Sequence, residues 1–335
     1  MKRLLIVILA VALFVVVAVP VVLWVGSYAS LDHDMTHTKE TQALERFSLP
    51  GGEWLQPRLS LIEADGNAFR ARTAGFGGDR GNVILLHGFP ETSAMYEPMM
   101  AELARAGFRV IAFDQRGYSP GIRPSGAAAY TIDNLSADVF AVADAVGFDH
   151  FHLVGHDWGA VVGWSMVLEG STRIKSWSSL SIPHMGAYAT AILNEPDQQE
   201  RSAYVGLFPM PWLPEAILSF NGFAVMRNAI YSQHGGATLD EYLKVFSEPG
   251  ALTAALNWYR ALNVSNSAVN MQVSTPTAYI WGNEDPVVGE ESLKGQREFF
   301  DGNLWETELN TGHWLMETEA DAVTAAVLEH ITRGL

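Results

Sequence analysis

The 335 residues are 48% hydrophobic and 17% charged, which suits one large globular domain or a domain with a sizeable insertion. With 21 Lys+Arg against 37 Asp+Glu the formal charge is -16, so the overall field repels a polyanion and argues against nucleic acid as a partner. The absence of cysteine excludes disulfides, thiolate nucleophiles, thiolate-bound zinc and lipoprotein acylation.

After Lys2 and Arg3 comes an uncharged, almost wholly apolar run from Leu4 to Val25, which as a helix reaches roughly 33 Å and spans a bilayer. Residues 1–30 are therefore expected to be a transmembrane signal anchor, with cleavage after Ala29 (small-x-small at Ser27-Tyr28-Ala29) as the alternative. Lys2 and Arg3 precede the span and Asp32, Asp34 and Glu40 follow it, which keeps the amino terminus cytoplasmic and the body of the chain extracytoplasmic. Residues 31–56 lack apolar periodicity and read as a tether.

From Arg58 the pattern becomes globular. "RLSLIEAD" and "NAFRARTAG" flank Asp65-Gly66, the signature of a hairpin. Short apolar runs follow at residues 82–86, 109–113, 151–155, 176–180 and 277–281, with helix-like stretches between most of them. That alternation predicts an α/β fold, a mostly parallel sheet with helices on both faces. One gap breaks it. Residues 185–274 are rich in aromatic residues and Met with helical spacing, and read as an inserted helical cap between core segments 57–184 and 275–335. Of its aromatics Tyr204, Phe208, Trp212, Phe220, Phe223, Phe246, Trp258 and Tyr259, most are expected to form the cap's own core.

Four stretches carry chemistry. In "LVGHDWGA", Asp157 ends a strand and precedes a helix between Gly155 and Gly159, which is how a strained strand-to-helix turn presents a nucleophile; an ordinary helix N-cap is the competing reading. In "LLHGFPE", the backbone N–H of Phe89 can join that of Trp158 as an oxyanion hole. "WGNEDPVVG" puts Asp285 after a strand, with Glu284 as competitor, and "NTGHWLMET" puts His313 in a loop before the last helix. The order nucleophile, acid, histidine, each after a predicted strand, marks one constellation. A zinc site at His150, His152 and His156 is the rival, but it leaves the Gly-x-Asp-x-Gly turn unexplained. His152 reads as a packed strand residue and His156 as a support for the turn.

With "HGFPE", "FDQRGYSPG", "HLVGHDWGA", "LNWYRA" and the final "GHW", the sequence from about Pro57 onward resembles the epoxide hydrolases of the α/β-hydrolase superfamily. The resemblance implies Asp157 as nucleophile, His313 as base, Asp285 as its orienting acid, and Phe89 and Trp158 as backbone donors. It adds two cap tyrosines as acids, Tyr259 in "NWYR" and Tyr204 in "SAYVGLFPMPWLPE". The product is then a vicinal diol from a mainly apolar epoxide, with water as co-substrate and neither metal nor organic cofactor. The sequence departs from the better-known members after "HGFPE", where "TSAMYEP" carries fewer aromatics. A haloalkane dehalogenase is the alternative enzyme, since it shares "GHDWG" and the Asp-His-acid logic. A non-catalytic, membrane-anchored relative is the alternative of another class.

Overall fold

The computed structural model describes residues 19, 21–23, 25, 35–48, 54–230, 237–262 and 271–333. The span expected at Leu4–Val25 lies outside these apart from five scattered positions. Among the described residues no helix is long and apolar enough to cross a membrane.

Eight strands form one sheet: β1 (Arg58–Ala64), β2 (Asn67–Ala74), β3 (Gly81–Leu86), β4 (Phe108–Phe113), β5 (Phe151–His156), β6 (Ile174–Leu180), β7 (Thr277–Gly282) and β8 (Leu304–Leu309). Their spatial order is β1-β2-β4-β3-β5-β6-β7-β8, with β2 antiparallel to both neighbours and the rest parallel. The hairpin expected at Asp65-Gly66 is present, both residues taking positive φ so that Ala64 pairs directly with Asn67. Strands β5 and β7 are buried along their whole length, which is why they read as continuous apolar runs, whereas edge strand β1 alternates between exposed and buried.

The helices of the core are α2 (Glu97–Arg105), α3 (Ile132–Ala145), α4 (Trp158–Leu168), α11 (Leu315–Thr318) and α12 (Ala320–Thr332), preceded by a short α1 (Thr36–Gln42). Between β6 and β7 lie α5 (Met185–Asn194), α6 (Pro196–Arg201), α7 (Tyr204–Leu207), α8 (Leu213–Val225), α9 (Ala237–Ser247) and α10 (Ala251–Ala261). Helix α8 is broken at Phe220–Phe223, where the backbone leaves helical geometry.

Buried charge ties this helical layer to the sheet. Arg70 and Arg72 on β2 both donate to Glu241 of α9, at 2.7 Å and 2.6–2.8 Å, and Arg70 also donates to Asp114 at 3.0 Å. Two buried guanidiniums against two carboxylates satisfy one another, so removing any one partner strands a charge out of water.

The stretch expected to be a tether differs from that reading. Thr38 of α1 donates its N–H and hydroxyl to the carboxylate of Glu248, just after α9, and Arg123 holds the same carboxylate at 2.7 Å. Arg46 then bridges to Leu61 beside β1. Helix α1 has no apolar stripe, so its order comes from tertiary hydrogen bonds that local pattern cannot reveal.

Helix α4 lies flat on β6 because Gly163 gives way to the Trp177 ring. A Cβ at position 163 would sit 2.2 Å from that ring. Gly163→Ala is expected to destabilise the fold by roughly 1–3 kcal/mol through overpacking, read as a lower urea midpoint at unchanged m-value.

Candidate active site

Asp157 stands between the last residue of β5 and the first of α4, at φ 47 and ψ -118, a conformation rare for a residue with a side chain. The turn is possible because its neighbours are small. A Cβ on Gly159 would lie 2.1 Å from the Leu86 carbonyl, and one on Gly88 would lie 2.5 Å from the Asp157 side chain. The carboxylate makes no capping bond to α4. Instead its Oδ1 accepts the Phe89 backbone N–H at 2.8 Å. The helix-cap reading of this residue is thereby set aside.

Trp158 follows at the first position of α4, where backbone N–H groups have no partner within the helix. Both N–H groups named in the sequence thus adjoin Asp157, one by a hydrogen bond and one by chain connectivity.

On the opposite side His313 turns its Nδ1 to Asp285 Oδ2 at 2.7 Å and its Nε2 to Asp157 Oδ2 at 3.6 Å. The remaining Asp285 oxygen accepts the N–H groups of Val287 and Val288 at 2.7 and 2.9 Å, and Arg201 of α6 caps its carbonyl at 2.6 Å. Asp285 is therefore held as an acceptor, while Glu284 faces solvent. Burial pushes the His313 imidazolium down, but Asp285 and Asp157 together outweigh it and hold the ring well above the ordinary histidine range. Burial likewise opposes ionisation of Asp157, and the hydrogen bond and charge of His313, with the Phe89 N–H, bring its carboxyl below the usual value. The resting pair is a carboxylate beside an imidazolium.

The cap closes over this pair. Tyr204 of α7 and Tyr259 of α10 have ring centroids 6.2 Å apart and share with Asp157 the walls of two adjoining cavities, about 260 and 120 Å³. The larger is walled by Phe89, Leu207, Phe208, Leu218, Val225 and Trp314, the smaller by Trp158, Val161, Ile182, Met185 and Ile192. Burial raises both phenols well above the ordinary tyrosine value, with Tyr259 next pushed by Asp157 and Tyr204 by Tyr259 itself. Both stay protonated and can donate. Of the other cap aromatics Phe208 lines the larger cavity and Tyr188 of α5 the smaller; Phe246 and Trp258 pack beneath them, and Trp212 and Phe220 are exposed.

His150 is exposed, His152 bonds Ser176 Oγ at 2.7 Å, and His156 bonds Glu91 at 2.8 Å, so the three histidines do not converge. Among the described residues no group of three or more His, Cys, Asp or Glu has the arrangement of a metal site.

Residues 81–320 match the alpha/beta hydrolase fold family. Epoxide hydrolase 4 of Mus musculus is 31% identical over 263 residues, 75% of this chain and 73% of that protein. Epoxide hydrolase A of Mycobacterium tuberculosis is 30% identical over 320 residues, 82% of this chain and 98% of that one. The chain belongs to the epoxide hydrolases of the α/β-hydrolase superfamily. Among solved structures, epoxide hydrolase A from Mycobacterium thermoresistibile superposes with a TM-score of 0.70 at 26% identity, covering 83% of this chain and 98% of that one.

Several groups around the hydrolase site carried no role in the sequence. Glu91 lies inside "HGFPE" but was unassigned, and Arg201 and Ser181 reach the site from the cap and from the end of β6. Ser181 Oγ donates to the His313 carbonyl at 3.0 Å. No spacing signals these contacts, because each joins segments distant in the chain.

Asp285→Asn keeps the shape but presents an amide where His313 needs an anion. Turnover is expected to fall about 10²- to 10⁴-fold with little change in KM, measured by steady-state kinetics on an epoxide.

Proposed function

We propose that this epoxide hydrolase works through a covalent ester on Asp157. The carboxylate attacks a ring carbon, the carbon–oxygen bond of the strained ring breaks, and the departing oxygen takes a proton from Tyr204 or Tyr259. The observation that carries this reading is the placement of two protonated phenols and one ionised carboxylate on the walls of the same cavities.

Ester formation also changes the base. Once Asp157 is an uncharged ester, one of the two anions that keep His313 protonated is gone, and the imidazole can pass its proton on to restore the tyrosine. Neutral His313 then takes a proton from water as that water attacks the ester carbonyl, and the Phe89 and Trp158 N–H groups receive the developing oxyanion. The intermediate collapses by breaking the bond between the Asp157 carboxyl carbon and the diol oxygen, which leaves with the proton held by His313, and the new Asp157 carboxyl returns a proton to His313. The second oxygen of the diol thus comes from Asp157, and the water oxygen replaces it there.

The apolar walls favour an apolar epoxide. A haloalkane is the weaker reading. A halide needs N–H donors and no proton, yet two phenols share the cavity walls with Asp157, and the Trp158 ring is packed edge-on against Tyr259 at 4.8 Å.

A His313→Gln variant mixed with styrene oxide is expected to accumulate one substrate mass on the peptide bearing Asp157, seen by mass spectrometry of the digest. Haloalkane turnover with no adduct from any epoxide would sink the proposal. Tyr204→Phe and Tyr259→Phe should each lower the rate of ester formation roughly 10²-fold in rapid-mixing experiments, and the double variant should leave Asp157 unmodified.

A further inference from the structure

Behind the triad lie four side chains that the reaction above does not use: Tyr242 of α9, Glu317 of α11, Glu91 after β3 and His156 at the end of β5. Tyr242 Oη donates to Glu317 Oε1 at 2.8 Å. Glu91 Oε2 meets His156 Nδ1 at 2.8 Å, and His156 Nε2 meets the carbonyl of His313 at 2.9 Å. Each carboxyl has one oxygen left over, Glu91 Oε1 and Glu317 Oε2, both inaccessible to solvent and both without a partner among the ordinary hydrogen bonds. The two carboxyls face each other within hydrogen-bonding reach.

Counting protons resolves the pair. A carbonyl only accepts, so His156 Nε2 must carry its hydrogen. The His156 ring is 4.9 Å from that of His313, and a second cation buried there is unfavourable, so His156 is neutral and Nδ1 holds a lone pair. Glu91 Oε2 must then be the donor, which makes Glu91 an acid rather than a carboxylate. Its Oε1 is left as an acceptor, and a protonated Glu317 Oε2 supplies the hydrogen. Glu317 Oε1 is then free to accept from Tyr242. Every group is satisfied, and the bonds all point one way.

We propose that Tyr242, Glu317, Glu91 and His156 are positioning residues that form an uncharged, one-way hydrogen-bond chain from the cap to the His313 carbonyl. It holds His313 for water activation only while both carboxyls keep their protons. The inference rests on the reading of His313 as the base.

The titratable groups facing the two carboxyls are Asp157 and His313 from the site, His156 beneath, Tyr96 from the turn after β3, and Tyr242 from the cap. Burial pushes Glu91 up to about 8, with anionic Asp157 adding to it against the bonds and the His313 charge that favour ionisation. Burial, then Glu91, raise Glu317 well above the ordinary carboxyl value. The raised value of Glu91 sets the sign. The chain is intact at lower pH and is lost as pH rises through about 8, when Glu91 loses the hydrogen it donates to His156.

Amide and aliphatic replacements separate this from a charged pair of Glu91 with His156. E91L and E317L break the chain and are expected to slow hydrolysis of the Asp157 ester about 10- to 100-fold in single-turnover experiments while leaving KM in place. E91Q and E317Q keep a donor N–H and an acceptor oxygen in the same positions. Each should restore most of that loss, and E91Q should remove the alkaline fall expected near pH 8 in the parent.

Infrared difference spectra of the full chain without substrate should contain two protonated-carboxyl C=O bands at neutral pH, one lost in E91Q and the other in E317Q. E91Q as slow as E91L, or spectra without those bands, would overturn the chain. The bands need no epoxide, so epoxide turnover without them refutes the chain alone. Bands without an Asp157 adduct refute the covalent reading alone. Should E317L fail to fold, the amide variants and the spectra still decide.

Discussion

A carboxylate that is 7% exposed has to stay ionised, and the arrangement of the site follows from that requirement. Taking a carboxylate out of water costs several kcal/mol unless charge and hydrogen bonds replace the solvent. Here the replacement comes from the Phe89 N–H on one oxygen and the His313 imidazolium near the other. His313 in turn holds its charge because Asp285 lies behind it, and Asp285 is fixed by the backbone of Val287 and Val288. The strained backbone at Asp157 belongs to the same logic, since it aims the carboxylate at the cavity and away from the N–H groups of α4 that would otherwise cap it.

Among the polar connections that join the cap to that centre, two run through α9. The Arg70, Arg72, Asp114 and Glu241 cluster locks α9 to β2, and the adjacent Tyr242 reaches Glu317 beside the triad loop. Since Tyr204 and Tyr259 are carried by cap helices while Asp157 and His313 follow strands of the sheet, the distance between the phenols and the carboxylate is set by how firmly these layers dock. Buried polar groups are unforgiving of displacement, because each shift leaves a donor or a charge unsatisfied.

Asp157 and Asp285 were singled out because each follows a strand whose apolar run is visible in the sequence, His313 because its Gly-flanked loop precedes the last helix, and the parallel sheet gathers these strand ends on one edge. Tyr259 and Tyr204 were legible through resemblance; helical spacing alone does not distinguish them from Trp258 or Phe246, which proved to be packing residues. Helix α1 was misread as a tether, since "THTKETQ" has no apolar face and owes its order to Glu248 some two hundred residues away. Glu91 and Glu317 look like ordinary acidic residues in their local sequence. Their burial against each other cannot be read from either neighbourhood.

What the sequence by itself determined is the alternation of strands and helices, its interruption between β6 and β7, and the placing of Asp157, the Glu284-Asp285 pair and His313 after strands. Those depend on periodicity and turn chemistry, which are local. Tertiary structure decided which oxygen of Asp157 meets Phe89, that Asp285 and not Glu284 faces His313, which aromatics reach the cavities, and that two glutamates share a buried contact. Those depend on the docking of cap on sheet, where the exclusion of water fixes both the geometry and the protonation of groups far apart in the chain.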